Sequence, residues 1–378
     1  MIILAIETSC DDTGVALVKA SGKKKPRFKI LSNIVSSQVK IHKKWGGVYP
    51  TLAKREHQKN LPLVLKRAFT KAEGPKVDLI AITIGPGLEP CLWVGVNFAK
   101  AQIHIWLKPI IFVNHIEAHI YANFLDLGEE IKNRASIYGS EGEEEDKVLF
   151  ACQKSKIKNI FPAVCLVVSG GHTQLILMID FNNYKILGET RDDAAGECFD
   201  KVAKTLGLSY PGGPAIAEWA RQWKFEIKNP KSKILLPRPM IYQKNYDFSF
   251  SGLKTAVLYH FKNQSLKIRR SKKYIQTMSK EVQQAIIDVL IYKTLKAAKD
   301  YGVKTIILGG GVAANEELRK QFKEKIEKEI PNSQFFVPDA KFCTDNAVMV
   351  AITAYYHWLK EKGGDWKKLR AEANLKIS

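Results

Sequence analysis

Two histidines four residues apart, His115 and His119, follow directly on Asn114, which reads as the cap of a helix. At that spacing both imidazoles leave one helix face about a turn apart, close enough to grip one metal ion. Two imidazoles make an incomplete site. Asp345, in Thr344-Asp345-Asn346, is the candidate third ligand, and a helix N-cap or first-turn acid is its alternative role. Two histidines and a carboxylate with open positions favour iron(II) or zinc and leave room for substrate oxygens. A zincin protease is excluded, because Ile116 stands where H-E-x-x-H needs its glutamate and Glu117 points off the shared face.

Glycine and polar turns supply the second kind of chemistry. Ser169-Gly170-Gly171-His172-Thr173 follows an apolar run, and Gly309-Gly310-Gly311 follows another. Such turns bring backbone N–H groups close to an anion, and several converging turns cradle a polyanion better than one. The Gly309-Gly310-Gly311 turn lacks both the G-x-G-x-x-G register and the P-loop lysine, which disfavours dinucleotide and Walker-type binding. His57, in Lys54-Arg55-Glu56-His57, reads as a surface helix residue.

The elements that must hold these residues alternate between strands and helices. Leu4 to Glu7 and Gly14 to Val18 flank a polar turn as a β-hairpin, and 163 to 179 repeat that layout, which suggests a duplicated domain. Strands are expected at Leu79 to Ile84, Pro109 to Val113 and Lys304 to Leu308. Helices are expected from about Trp93 to Leu107, Asn114 to Leu127, Gly196 to Leu206, Thr277 to Tyr301, Asn315 onward, and Thr344 to Leu359. Each glycine turn ends a strand, the pattern of α/β lobes with a ligand in the crevice at the strand C-termini.

Composition sets the wider frame. The 378 residues carry 59 lysines and arginines against 38 acids, a net charge of +21, which attracts polyanions or merely solvates the surface. With 46% hydrophobic residues the bulk is not disordered. No uncharged apolar run approaches the roughly 18 residues of a membrane span. The first residues, Met1 to Ile6, meet Glu7 too early for a signal peptide, and the six cysteines form no C-x-x-C pair. A cytoplasmic protein with no membrane partner is therefore expected. Basic clusters at 23–25, 40–44 and 262–273 make a phosphate-tracking surface a further expectation.

The ordered motifs resemble the tRNA N6-adenosine threonylcarbamoyltransferase family, within the actin/Hsp70/sugar-kinase superfamily. They are I-E-T-S-C-D-D-T at 6–13, G-G-V-Y-P at 46–50, G-P-G-L at 85–88, G-V-N-F-A-K at 95–100 and N-H-I-E-A-H at 114–119. V-S-G-G-H-T at 168–173, F-D-K at 199–201, Y-P-G-G-P at 210–214, F-S-F-S-G-L-K-T at 248–255, G-G-G-V-A-A-N at 309–315 and C-T-D-N-A at 343–347 complete the set. The resemblance implies that His115, His119 and Asp345 ligate one metal, usually iron, with zinc as the alternative. It implies that Val167, Val168, Ser169, Gly170, Gly171, Asp200, Gly213 and Asn315 bind the adenylate substrate, and it leaves Asp11 as candidate base. Two departures stand out: Ala217, followed by Glu218, occupies the place of a usual aspartate, and Pro50-Thr51-Leu52 replaces a usual P-E-L.

The same resemblance implies an α/β fold of two duplicated lobes with a central ligand cleft. The N-terminal lobe would span 1–127 and recruit a C-terminal helix at 344–360. A charged insertion would fill 128–160, and the C-terminal lobe 161–343 would carry a helical basic insert at about 214–275. The implied reaction transfers threonylcarbamoyl from threonylcarbamoyl-AMP to the N6 amine of the adenosine 3′ of the anticodon, in tRNAs reading codons that begin with A. Implied partners are tRNA, a fold-related paralogue and a P-loop ATPase, as in bacterial-type complexes. The competing readings are an ATP-dependent small-molecule kinase of the same superfamily and a non-catalytic nucleic-acid-binding ATPase.

Overall fold

A computed structural model describes residues 1–128, 160–223 and 234–377. Residues 129–159 of the expected acidic insertion, and 224–233 of the basic insert, therefore lie outside the described residues.

Among the described residues, ten strands form two five-stranded sheets. In the first, β1 (Ile2–Glu7), β2 (Asp12–Ser21) and β3 (Arg27–Ser37) run antiparallel, and β4 (Leu79–Gly85) and β5 (Ile110–Asn114) continue parallel to β1, in the order β3-β2-β1-β4-β5. The second repeats this with β6 (Ala163–Val168), β7 (Thr173–Asp180), β8 (Asn183–Glu189), β9 (Thr305–Gly309) and β10 (Gln334–Phe336), ordered β10-β9-β6-β7-β8. The duplication read from the two hairpins thus extends to whole sheets. In both, the central strands are apolar on both faces, as strands covered on both sides must be.

Strand alternation sorts the core. Leu4 and Ile6 face α2 (Pro50–Lys71) and α3 (Glu89–Trp106), packing with Leu61, Val64 and Val96. Ile3 and Ala5 face the opposite way, onto α4 (His115–Tyr121) and α11 (Ala347–Lys360). The same central cluster takes Ala163, Cys165 and Val167 from the second sheet, so α4 and α11 are sandwiched between the sheets. Beyond the second sheet, Val164, Leu166 and Val168 pack on α5 (Ala195–Thr205) and α9 (Lys272–Asp300). The remaining helices are α1 (Val39–His42), α6 (Gly212–Arg221), α7 (Ser251–Lys262), α8 (Leu266–Arg269) and α10 (Glu316–Glu329).

Helix ends differ from expectation where capping decides. α3 starts at Glu89 because Pro90 fits the first turn, where its missing N–H is not needed. α9 starts at Lys272, capped by the Ser271 hydroxyl, which accepts from the N–H of Tyr274. α4 ends at Tyr121 and tightens into a 3₁₀ stretch, Ala122–Gly128. α11 begins at Ala347, and its cap is Asn346, whose side chain accepts from the N–H of Met349 at 3.1 Å. Asp345 is thereby released from a capping duty.

A late segment passes over the Gly85-Pro86-Gly87 turn. Glu372 N–H donates to the Ile84 carbonyl at 2.7 Å, and Gly87 N–H donates to that of Ala373 at 3.1 Å. A Cβ on Gly85 would lie 1.9 Å from the Glu372 carbonyl oxygen, so only glycine admits this approach.

Candidate active site

One large cavity, about 1580 Å³, opens where the ends of the two sheets meet. Its wall combines Asp11, Gly87 and His115 from the first half with the 169–172 turn, Asp200 and Asn315 from the second, and Asp345 from the loop before α11. A crevice at strand ends is where the alternating pattern places a ligand.

The histidine helix is aimed by its cap. Asn114 accepts from the N–H groups of Ile116 at 2.8 Å and Glu117 at 3.2 Å, fixing the first turn. His115 Nε2 and His119 Nε2 then lie 3.5 and 3.3 Å from Asp345 Oδ1. Metal–ligand bonds near 2.1 Å put neighbouring ligand atoms roughly 3 to 3.5 Å apart, so these separations suit one ion. Among the described residues, His115, His119 and Asp345 form a group able to hold a metal, their ligand atoms within 4.8 Å of one another. His119 is fully buried, and neither of its ring nitrogens has a hydrogen-bond partner. An orphaned buried imidazole is what a ligand awaiting a cation looks like.

Glu7, visible in the sequence only as one letter of a motif, is the residue that completes this group. Fully buried at the end of β1, it accepts from His115 Nδ1–H at 3.1 Å through Oε2. Thr83 Oγ1–H and Ser9 N–H donate to the same carboxylate at 2.7 and 2.6 Å. Proton on Nδ1 leaves the Nε2 lone pair facing Asp345, the tautomer a metal requires. An acid closing a wholly apolar strand, Ile2 to Ile6, was the available signal.

Electrostatics point the same way. Burial alone would depress His115, but Asp345 and Glu7 overcome it and push its pKa up to about 9. Burial would raise Glu7 and Asp345, yet the His115 charge holds both below their ordinary values. Two carboxylates, one buried and one half-buried, thus draw positive charge into the site. His172, on the cavity wall, is pushed down to about 4 by burial and by the charges of His115 and His119.

Glu117, as expected, lies off the metal-facing side. It is buried and accepts from Tyr184 Oη–H at 2.7 Å and from His357 Nε2–H at 2.8 Å. α4 is thereby tied to β8 of the second sheet and to α11.

The other expected site residues divide. Ser169, Gly170, Gly171, Asp200, Gly213 and Asn315 line the cavity with Asp11. Val167 and Val168 do not line it; both are fully buried in β6 behind the turn. Side chains built on Gly170, Gly171 or Gly213 would meet nothing within 4 Å, so packing does not demand glycine there. Asp200 also accepts from Gly212 N–H at 2.6 Å, and burial lifts it to about 6. Asn315 caps α10 through the N–H of Leu318 at 3.0 Å and donates to Gln283 at 2.9 Å. Ala217 and Glu218 border the cavity, Glu218 being engaged by Arg221 and Gln222.

Burial, with the charge of Asp345, raises Asp11, and its neighbour Asp12 is pushed up to about 7, chiefly by burial. Asp12, which also lines the cavity, escaped the sequence reading. His57 corrects an expectation: it is fully buried, not a surface residue. Its Nε2–H donates to the Cys10 carbonyl at 3.0 Å, leaving Nδ1 to accept from the Thr13 hydroxyl at 2.8 Å. The helix α2 thus pins the turn that carries Asp11 and Asp12.

A family model described as tRNA N6-adenosine threonylcarbamoyltransferase matches residues 29–134 and 148–352. The chain is 46% identical over 360 residues to the protein of that name from Syntrophomonas wolfei, covering 94% of this chain and 92% of the other. It is 42% identical to that of Thermosipho africanus over the full length of both. Among solved structures it is similar to full-length HypF in its phosphate- and nucleotide-bound form, with a TM-score of 0.52 at 12% identity. That match covers 97% of this chain and 56% of HypF, and it bears on the fold alone.

Proposed function

The chain belongs to the tRNA N6-adenosine threonylcarbamoyltransferase family, and on that premise we propose how its cavity carries out the transfer. The product is a threonylcarbamoyl group on the N6 amine of a tRNA adenosine. The donor is read as threonylcarbamoyl-AMP and the acceptor as the adenosine 3′ of the anticodon, in tRNAs reading codons that begin with A. Neither a small-molecule kinase nor a non-catalytic ATPase is favoured by this membership.

The observation that carries the mechanism is the convergence of both Nε2 atoms on Asp345 Oδ1, with His115 and Asp345 on the wall of the same cavity that Ser169, Gly170 and Gly171 line. His115, His119 and Asp345 would hold a divalent metal, iron(II) or zinc, which when bound supplies Lewis-acid polarisation of substrate oxygens. Glu7 keeps His115 in the ligating tautomer. The Ser169–Gly171 turn receives the phosphate, where glycine keeps the backbone open to close approach. Asp200, Gly213 and Asn315 bound the adenylate.

In the transfer, N6 attacks the carbamoyl carbon, the bond from that carbon to the phosphate oxygen breaks, and AMP departs with the electron pair. The N6 proton passes to a carboxylate of the Asp11–Asp12 turn, whose raised pKa suits proton acceptance near neutrality. An exocyclic amine is a poor nucleophile, so positioning and charge stabilisation carry most of the rate.

The same proposal takes residues 1–127 with 344–360, and 161–343, as the two lobes between which the cleft lies. A fold-related paralogue and a P-loop ATPase are the expected partners, in a cytoplasmic setting. Among the described residues no helix is long and apolar enough to cross a membrane. The test is transfer of labelled threonylcarbamoyl to tRNA, with and without those partners, alongside metal analysis. Absence of transfer under every combination would remove the proposal.

A further inference from the structure

Between Thr13 and Arg55 the chain carries eleven lysines and arginines and no aspartate or glutamate. Within this acid-free stretch, Lys43–Trp45 forms a short 3₁₀ turn that ends at Gly46 in the left-handed region, φ +67°, and leads through Gly47 and Val48 to Tyr49. Gly46, Gly47 and Val48 line the cavity. The two aromatic rings that flank them do not pack into the core. Trp45 is 61% exposed and Tyr49 52%, and the rings stack on each other with centroids 5.6 Å apart and planes 26° from parallel.

Two large rings held in water at the rim of a cavity demand a reason, since each forgoes the gain of burial. The loop that presents them is closed from behind by buried groups. Tyr49 N–H donates to His42 Nδ1 at 3.3 Å, His42 Nε2–H donates to Gln38 Oε1 at 3.1 Å, and Gln38 Nε2 donates to the Ala53 carbonyl at 3.4 Å. His42 and Gln38 are both fully buried. The exposed stack is therefore pre-organised, and a flat partner meets it at little entropic cost.

We infer that Trp45 and Tyr49 form a stacking platform for an unpaired anticodon-loop base of the tRNA next to the adenosine in the cavity, with Lys40, Lys43 and Lys44 on the adjoining phosphates. Three observations converge on this occupant. The partner must present a flat, sequence-tolerant face to an aromatic pair, as an unstacked base does. It must be polyanionic, since three exposed lysines, Lys40, Lys43 and Lys44, lie just ahead of the pair in the chain and no acid lies within the stretch. It must be continuous with whatever fills the cavity, because residues 46–48 belong to both surfaces. The inference rests on the proposed function, which puts a tRNA adenosine in that cavity.

The test uses the full chain and an unmodified tRNA transcript carrying 2-aminopurine in the anticodon loop beside the target adenosine. Expected are quenching of the probe by the wild type, its loss in the double variant Trp45→Ala, Tyr49→Ala, and roughly 5- to 100-fold weaker binding. Trp45→Phe with Tyr49→Phe should retain most of both signals, which separates stacking from damage to the fold. The alanine pair should leave the salt dependence of binding unchanged. Lys43→Gln with Lys44→Gln should lower the slope by about 0.7 log units per lost phosphate contact. Wild-type binding and quenching that survive in the alanine pair would overturn the platform while leaving the proposed function standing. A wild type that fails to bind the transcript both alone and with the expected partner subunits would overturn the proposed function, and the platform with it.

Discussion

Glu7 Oε2 sits 3.1 Å from His115 Nδ1, on the side of the ring away from Asp345. A carboxylate so placed orients the imidazole and raises the basicity of its other nitrogen. Glu7→Gln keeps the shape but removes the charge, and metal affinity should fall about 10- to 100-fold. Competition with a chelator measures it, and unchanged affinity would leave Glu7 with a purely structural part.

Asp345→Asn and His119→Ala each remove one ligand from the candidate metal group. Metal content of the purified protein should fall from near one equivalent toward zero, and transfer to tRNA should fall with it. Because Asn346, and not Asp345, caps α11, Asp345→Asn should leave the melting temperature of the metal-free protein nearly unchanged. A large drop in that temperature would mean the carboxylate is structural.

If Asp12 or Asp11 takes the N6 proton, it must be ionised to act. Burial lifts Asp12 to about 7, so kcat should rise with pH through the neutral region and level off above it. Asp12→Asn should flatten that limb, or Asp11→Asn should if its neighbour is not the base. A profile that keeps its limb in both variants would assign the base elsewhere.

His357 donates to buried Glu117, and although burial opposes its charge, that partner raises its pKa above the ordinary value of 6.5. A histidine raised on folding stabilises fully below its unfolded pKa, and the contribution is lost as pH rises through the folded value. The destabilisation caused by His357→Gln, read from urea unfolding, should therefore be larger at pH 6 than at pH 9. Equal losses at both would indicate that packing alone is at work.

His57→Ala strips two hydrogen bonds from the turn that holds Asp11 and Asp12. A buried carbonyl or hydroxyl left without its partner costs about 1 to 3 kcal/mol. Amide exchange across residues 8–13 should quicken, and kcat should fall more than metal content does. Unaltered exchange there would show that the turn holds itself.

How much of the fold and site was legible in sequence depends on the range of the interactions. Asn114 as a cap, the hairpins and the spacing of His115 and His119 are local facts, settled within a few residues, and they read correctly. Asp345 was nameable as a candidate but its meeting with the histidines needed the fold, since a helix between the two sheets sets its place. His57 misled because α2 has a charged, weakly amphipathic sequence, and only the packing of that helix on the first turn brings the ring inward. Glu7 and Asp12 were visible as letters in a motif, yet their partners, His115 and Ser37, come from other strands or helices. The motif at 46–50 took in Tyr49 but not Trp45, and the exposure of both rings only the three-dimensional structure reveals.

α11 has a consequence in time. A chain is made from its N-terminus, and the face of the first sheet formed by Ile3, Ala5, Ala16 and Val18 waits for Ala347 to Tyr356 to cover it. Through most of translation the nascent protein therefore carries an uncovered apolar sheet, a natural client for a holding chaperone. Asp345 arrives in the same late step, so a half-made chain carries the two histidines of the metal group without their carboxylate.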